Sequence, residues 1–180
     1  MKVICYGDSN TYGYDPRSLF GEPYDRENRW VDILAMNTGW NIINQGINGR
    51  EIPDEVEIFP ADTDLLIIML GTNDLLQFWA PEAACEKMER FLESLALDRE
   101  KILLIAPPTM KFGEWVLDQE LIDDSITLAK HYKTLAERMC VRFADAGEWN
   151  VPLAYDGVHL TEEGHRAFAK GLMDHLQKGE

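Results

Sequence analysis

Residues 1–14 read MKVICYGDSNTYGY, and the fold is decided by how they are read. Val3-Ile4-Cys5-Tyr6 is a short apolar run of strand-forming residues. Gly7-Asp8-Ser9-Asn10 breaks it at once, and Thr11-Tyr12-Gly13 follows. A buried strand ending in a glycine turn delivers its next side chains at the carboxyl end of a sheet, where open α/β sheets bind their ligands. Ser9 is therefore presented where chemistry is common. The rest of the chain can be searched for what a serine nucleophile needs.

Outward from this stretch, strands and helices alternate. After a polar loop over 15–27, residues 29–35 carry Trp30, Ile33 and Leu34 on one helical face, and Asn37-Thr38-Gly39 stops the helix. Residues 40–44 read as a second strand, followed by the glycine-punctuated loop Gln45-Gly46-Ile47-Asn48-Gly49-Arg50. Residues 64–70 are apolar after Asp64, as suits a strand covered on both faces, and Gly71-Thr72-Asn73-Asp74 ends them. A helix is expected over 81–97, a fourth strand over 101–106 ending at Pro107-Pro108, and a long helix over 117–139. A short fifth strand over 141–144 and a last helix from Thr161, its N-cap, to about residue 176 complete the pattern. The alternation predicts an α/β fold with a parallel sheet covered on both faces. No domain-length linker or internal repeat interrupts it, so one domain over 1–180 is expected.

Composition narrows the function. The formal net charge of −15 argues against nucleic-acid binding, which needs a basic face, and against an anionic membrane surface. The three cysteines, Cys5, Cys85 and Cys140, give no disulfide framework and no zinc spacing; Cys5 reads as a small buried hydrophobe. No metal-ligand cluster and no GxxxxGK phosphate loop appears, so neither metal nor cofactor is expected. Lys2 leads straight into a strand with no signal-peptide pattern, and the longest apolar run is far too short for a bilayer, so a reduced cytoplasmic setting is the expectation.

Each strand end carries polar residues of a particular kind. The first offers Ser9, the second Gly46 and Gly49, the third Asn73 and Asp74. Near the carboxyl terminus stands Asp156-Gly157-Val158-His159. A serine hydroxyl is a weak nucleophile until a base takes its proton, and His159 is the base candidate. Asp156, three residues earlier across a tight turn, can reach one imidazole nitrogen, fix the tautomer and stabilise the imidazolium. The Ser9 and Gly49 backbone N–H groups and the Asn73 amide can serve the oxyanion that forms. Gly46 competes with Gly49 for that role.

These residues resemble the SGNH/GDSL hydrolase superfamily. The first block is Gly7-Asp8-Ser9-Asn10, where many members have leucine fourth; the second is Asn44 to Arg50; Gly71-Thr72-Asn73-Asp74 and Asp156-Gly157-Val158-His159 match in full. The resemblance spans nearly the whole chain, with the blocks in order. It implies a three-layer α/β/α sandwich with a five-stranded parallel sheet, a Ser9–His159–Asp156 triad, and an oxyanion hole from Ser9, Gly49 and Asn73. Residues 66–74 and the Gly46–Arg50 loop look like the small arylesterase and acetyl-esterase branch, whose members hydrolyse short acyl esters, some of them acetylated sugars, and several of which form oligomers.

Blander readings stand beside these. Ser9 alone would be a turn residue, and Asn73 alone a helix cap. Asp8 reads as a support of the nucleophile turn and Asp74 as a structural hydrogen-bonding residue. Tyr12, Phe78, Trp79, Phe112 and Trp115 are pocket candidates that core packing or a subunit interface would equally explain. His131, His165 and His175 fall in helices, where packing or surface roles are preferred. The expected function is a serine esterase acting on a small-molecule ester, acetyl-type, through an acyl-enzyme. A thioesterase or lysophospholipase is the alternative on the same scaffold. A non-enzymatic flavodoxin-like binding module would explain the alternation but not the four polar blocks.

Overall fold

The computed structural model describes residues 1–178. Five parallel strands form one sheet in the order β2-β1-β3-β4-β5: β1 (Lys2–Gly7), β2 (Asn41–Gly46), β3 (Leu65–Met69), β4 (Ile102–Ala106) and β5 (Arg142–Asp145). Period-two alternation sorts each buried strand between two cores. Val3, Cys5, Leu65, Ile67, Leu103 and Ile105 face one side, where α2 (Trp30–Thr38) and α6 (Glu162–Lys178) bring Trp30, Leu34, Phe168 and Leu172. Ile4, Tyr6, Leu66, Ile68, Ile102 and Leu104 face the other, under α4 (Pro81–Ser94) and α5 (Gln119–Met139), which supply Met88, Phe91, Leu128 and Tyr132. The result is the expected three-layer α/β/α sandwich.

All five strands lie within about two residues of their expected positions. Two short helices were not foreseen: α1 (Ser9–Tyr12) and α3 (Thr72–Leu76), each starting within the polar block that ends its strand. Periodicity needs more than one turn to register, so four- and five-residue helices leave no mark in it. Helix α4 also stops at Ser94, three residues short of the expected 97. Among the described residues no helix is long and apolar enough to cross a membrane.

Strand order reverses at β1: the chain goes out to β2 on one side and returns to β3 on the other. That switch point leaves a crevice beyond the carboxyl ends of β1 and β3. Register makes the ends level, since Gly7 pairs with Gly46 on one side and with Met69 on the other. Ser9, Gly49 and Asn73 follow these residues by only two, three and four positions, so the fold itself brings three distant blocks to one edge.

Candidate active site

The turn that presents Ser9 is built locally. Asp8 caps α1 by accepting the Asn10 backbone N–H at 2.9 Å, and Gly13, at φ 91°, closes the helix. Ser9 is thereby the first residue of a helix, with its hydroxyl 3.0 Å from His159 Nε2. On the far side of the ring, His159 Nδ1 lies 2.7 Å from Asp156 Oδ2. The other carboxylate oxygen of Asp156 accepts the backbone N–H groups of Val158 and His159, both at 2.9 Å. Burial alone would raise the Asp156 pKa, but the imidazole and the two N–H groups outweigh it and hold the carboxyl below its ordinary value. The structure thus brings Ser9, His159 and Asp156 into one hydrogen-bonded line, in which the hydroxyl can pass its proton to a correctly oriented imidazole.

The two loop glycines separate on geometry. Gly46 N–H already donates to Asn44 Oδ1 at 2.8 Å, and a Cβ at Gly46 would sit 2.0 Å from Tyr12 N. Gly46 is glycine because helix α1 presses on it. Gly49 stands in a turn closed by Arg50 N–H to Ile47 O at 3.2 Å, with φ 73° and open space where a Cβ would be. Its N–H donates to no acceptor among the described residues. Asn73 Nδ2 donates to Arg50 O at 3.0 Å, which fixes the amide and leaves its second proton unassigned.

Arg50 went unremarked in the sequence as more than part of a block. Its guanidinium donates to Gly7 O at 3.1 Å and to Gln45 O, and lies 4.1 Å over the Tyr6 ring. With its own carbonyl taken by Asn73, it ties the ends of β1, β2 and β3 together. Tyr14 was also missed, although it stands in the opening stretch: its ring lies 4.6 Å from that of His159, while Trp115 meets the same imidazole edge-on at 5.0 Å. Neither contact leaves a trace in sequence spacing, because residue 159 is far from both.

Asp74 is fully buried, accepts the Ile52 N–H at 3.1 Å, and lies 3.4 Å from the buried Lys87 ammonium. Trp79, Phe78 and Trp115 line a groove of about 560 Å³, together with Glu82, Asp118, Glu120 and Asp124; Trp115 links it to the His159 ring, and Ser9, His159, Gly49 and Asn73 do not line it. No Lys, Arg or His is among the residues lining it. Phe78 is 95% exposed and held at φ 64°. Tyr12 and Phe112, grouped with these aromatics on sequence, do not line the groove. Tyr12 ends α1 with its backbone against Gly46, and Phe112 is directed to solvent beside Gly113, which packs on the Asp156–Gly157 backbone.

His165 is buried, as the packing reading expects, with Nδ1 accepting the Trp30 N–H at 3.3 Å. Burial first, then Arg29, Arg166 and His159, push its pKa down to about 3. A neutral buried imidazole makes stability fall as pH drops below its ordinary 6.5. Asp8 works in the opposite sense. Burial lifts its carboxyl from the ordinary 3.8 to about 6, against the Asn10 N–H and His159, which lower it. Between those values the folded chain binds the proton more tightly than the unfolded chain, so this contribution declines as pH rises and is absent above about 6. Asp8→Asn keeps the cap oxygen and removes the charge. It is expected to stabilise the protein by roughly 2 kcal/mol above pH 6 and by nothing below pH 4. Urea unfolding of both proteins at the two pH values checks this.

Comparison with known proteins identifies the family. A search of curated protein sequences gives no significant match. Among solved structures, a carbohydrate acetylesterase family member from Sinorhizobium meliloti is 26% identical, with 98% of this chain and 97% of that chain covered and a TM-score of 0.81. An aryl esterase from M. smegmatis is 25% identical, with 98% of each chain covered and a TM-score of 0.81. A protein of the lipolytic G-D-S-L family from Veillonella parvula, 22% identical with 99% of each chain covered and a TM-score of 0.76, shares the fold. The binding-module alternative falls with these findings. The model of the GDSL-like lipase/acylhydrolase family matches residues 5–167, and the chain belongs to that family as a serine esterase.

Proposed function

We propose that this esterase hydrolyses short acyl esters, of the acetyl type, through an acyl-enzyme on Ser9, and that residues 1–180 act as one domain. The observation that carries the reading is the line Ser9 Oγ–His159–Asp156, at 3.0 and 2.7 Å, standing at the switch point of the sheet. His159 takes the Ser9 proton as the hydroxyl attacks the ester carbonyl. Asp156 holds the imidazole in the productive tautomer and offsets the charge it gains. The oxyanion rests on the N–H of Ser9, the N–H of Gly49 and the free proton of the Asn73 amide. His159 then protonates the departing alcohol, and water repeats the cycle to release the acid. No step calls for a metal or cofactor.

The alcohol part is assigned to the groove lined by Trp115, the residue whose ring meets His159. Its tryptophans suit the face of a ring, and its carboxylates accept hydroxyl donors, a combination that fits acetylated sugars. The same carboxylates disfavour anionic leaving groups such as coenzyme A. That weighs against the thioesterase reading and, for phosphate-bearing headgroups, against the lysophospholipase reading. The acetylesterase and aryl esterase likenesses support the choice.

The test is a p-nitrophenyl ester series from acetate to palmitate, followed by acetylated xylose against acetyl-coenzyme A. Activity is expected to fall steeply beyond butyrate, and the sugar ester to be turned over in preference to the thioester. Preference for palmitate would move the substrate to lipids, and preference for the thioester would refute the assignment of the groove.

A further inference from the structure

The two hydrogen bonds of the triad differ in how they are secured. Asp156 and His159 are three residues apart in one turn, and the Asp156 carboxylate fixes the backbone of that turn as well as the ring. The pair is self-contained. Ser9 and His159 are 150 residues apart and belong to different segments, one following β1 and the other following β5. No strand pairing sets their separation. Something must hold the two segments in register to well under an ångström for the hydroxyl to reach the imidazole.

Asn10 is placed to do this. It follows Ser9 directly and is 3% exposed. Its Oδ1 accepts the Leu160 N–H at 2.9 Å, and its Nδ2 donates to Val158 O at 3.1 Å. The amide thus bonds to both neighbours of His159 and brackets it as a strand partner would. The Asn10 carbonyl in turn accepts Trp30 Nε1–H at 3.0 Å, which anchors the bracket to α2. Beyond the Ser9–His159 bond itself, these two amide bonds are the hydrogen bonds joining residues 7–14 to residues 156–161 among the described residues. We infer that Asn10 is a positioning residue for catalysis, its side-chain amide setting the distance between the Ser9 hydroxyl and the His159 imidazole. The fourth position of the first block, where the sequence departs from leucine, would then carry a function that leucine cannot supply, since leucine can neither accept from Leu160 nor donate to Val158.

This inference rests on the reading of Ser9 as nucleophile and His159 as base. Three variants separate the two. Ser9→Ala tests the reading alone. Asn10→Leu removes both amide bonds while keeping the same branched side-chain shape, and is expected to lower kcat for p-nitrophenyl acetate about 100-fold, with KM within about threefold, as a misplacement near 1 Å would. Asn10→Asp gives a readout that mere structural support would not move. The protonated carboxyl can accept from Leu160 and donate to Val158, whereas the carboxylate cannot donate. The ratio of variant to wild-type kcat should therefore be highest at low pH and fall by about tenfold or more as the introduced carboxyl ionises, its pKa lifted by burial. The ionisable side chains nearby, His159, Asp8, Asp156 and His165, are present in both proteins, so the ratio isolates position 10. A folded Asn10→Leu with kcat within threefold of wild type overturns the inference. So does an Asn10→Asp ratio that stays flat from pH 5 to 9. Full activity in Ser9→Ala would instead overturn the reading beneath it.

Discussion

Ser9→Ala is expected to lower kcat for p-nitrophenyl acetate by about 10⁵-fold or more, the scale of loss when a triad serine is removed. The size follows from what remains. His159 and Asp156 keep their own bond, and the oxyanion donors stay in place. They can still orient a water, but no group is left to form the acyl-enzyme. The fold should survive. Ser9 is already capped by Asp8, so the helix start does not depend on its hydroxyl, whose hydrogen bond is to His159 Nε2. Loss of that bond should cost about 1–2 kcal/mol of unfolding free energy at most. The measurement is steady-state kinetics beside urea unfolding, with an organophosphonate probe to mark the nucleophile by mass. Wild type should take one adduct on Ser9, and the variant none. If a folded Ser9→Ala protein kept more than about 1% of wild-type kcat, the nucleophile would lie elsewhere.

The residues of this line were legible because each follows a strand or a turn that composition alone marks. Gly7, Gly71 and Gly157 punctuate the apolar runs, and the polar residue types around them are those a serine hydrolase needs. The strands were legible for the same reason: β3 and β4 are apolar throughout because helices cover both faces. What sequence could not give is what depends on pairs. Gly46 and Gly49 look alike in the chain. They part only when Tyr12 is seen against one and open space beside the other. Asn10, Tyr14 and Arg50 gain their importance from residues on other segments, and no periodicity or spacing encodes such partners. Phe112 and Trp115 look alike in the loop after β4, and they part only in space, where Trp115 lines the groove and Phe112 does not.

Asp156→Asn should lower kcat by about 10⁴-fold, with KM changed by only a few fold. The cause lies in the division of labour between the two carboxylate oxygens. One accepts two backbone N–H groups, from Val158 and His159, and the other faces His159 Nδ1. An amide in the same place must point its carbonyl at the two N–H donors, because its NH₂ cannot accept from them. The NH₂ then faces Nδ1 and forces that nitrogen to act as acceptor. The ring proton moves to Nε2, which becomes a donor toward Ser9 instead of a base. The variant therefore fails by tautomer while its geometry is kept, and a downfield Nδ1–H proton resonance present in wild type should disappear. Stability changes in a defined direction too. The Asp156 pKa is held below its ordinary 3.8, so the ionised carboxylate contributes stability that is present above that value and lost as pH falls through the lower one. Asp156→Asn should accordingly be less stable than wild type at neutral pH, with the gap closing in acid. Retained activity in a folded Asp156→Asn would reduce Asp156 to a turn cap and leave His159 oriented by the rings of Tyr14 and Trp115 and by the backbone around it.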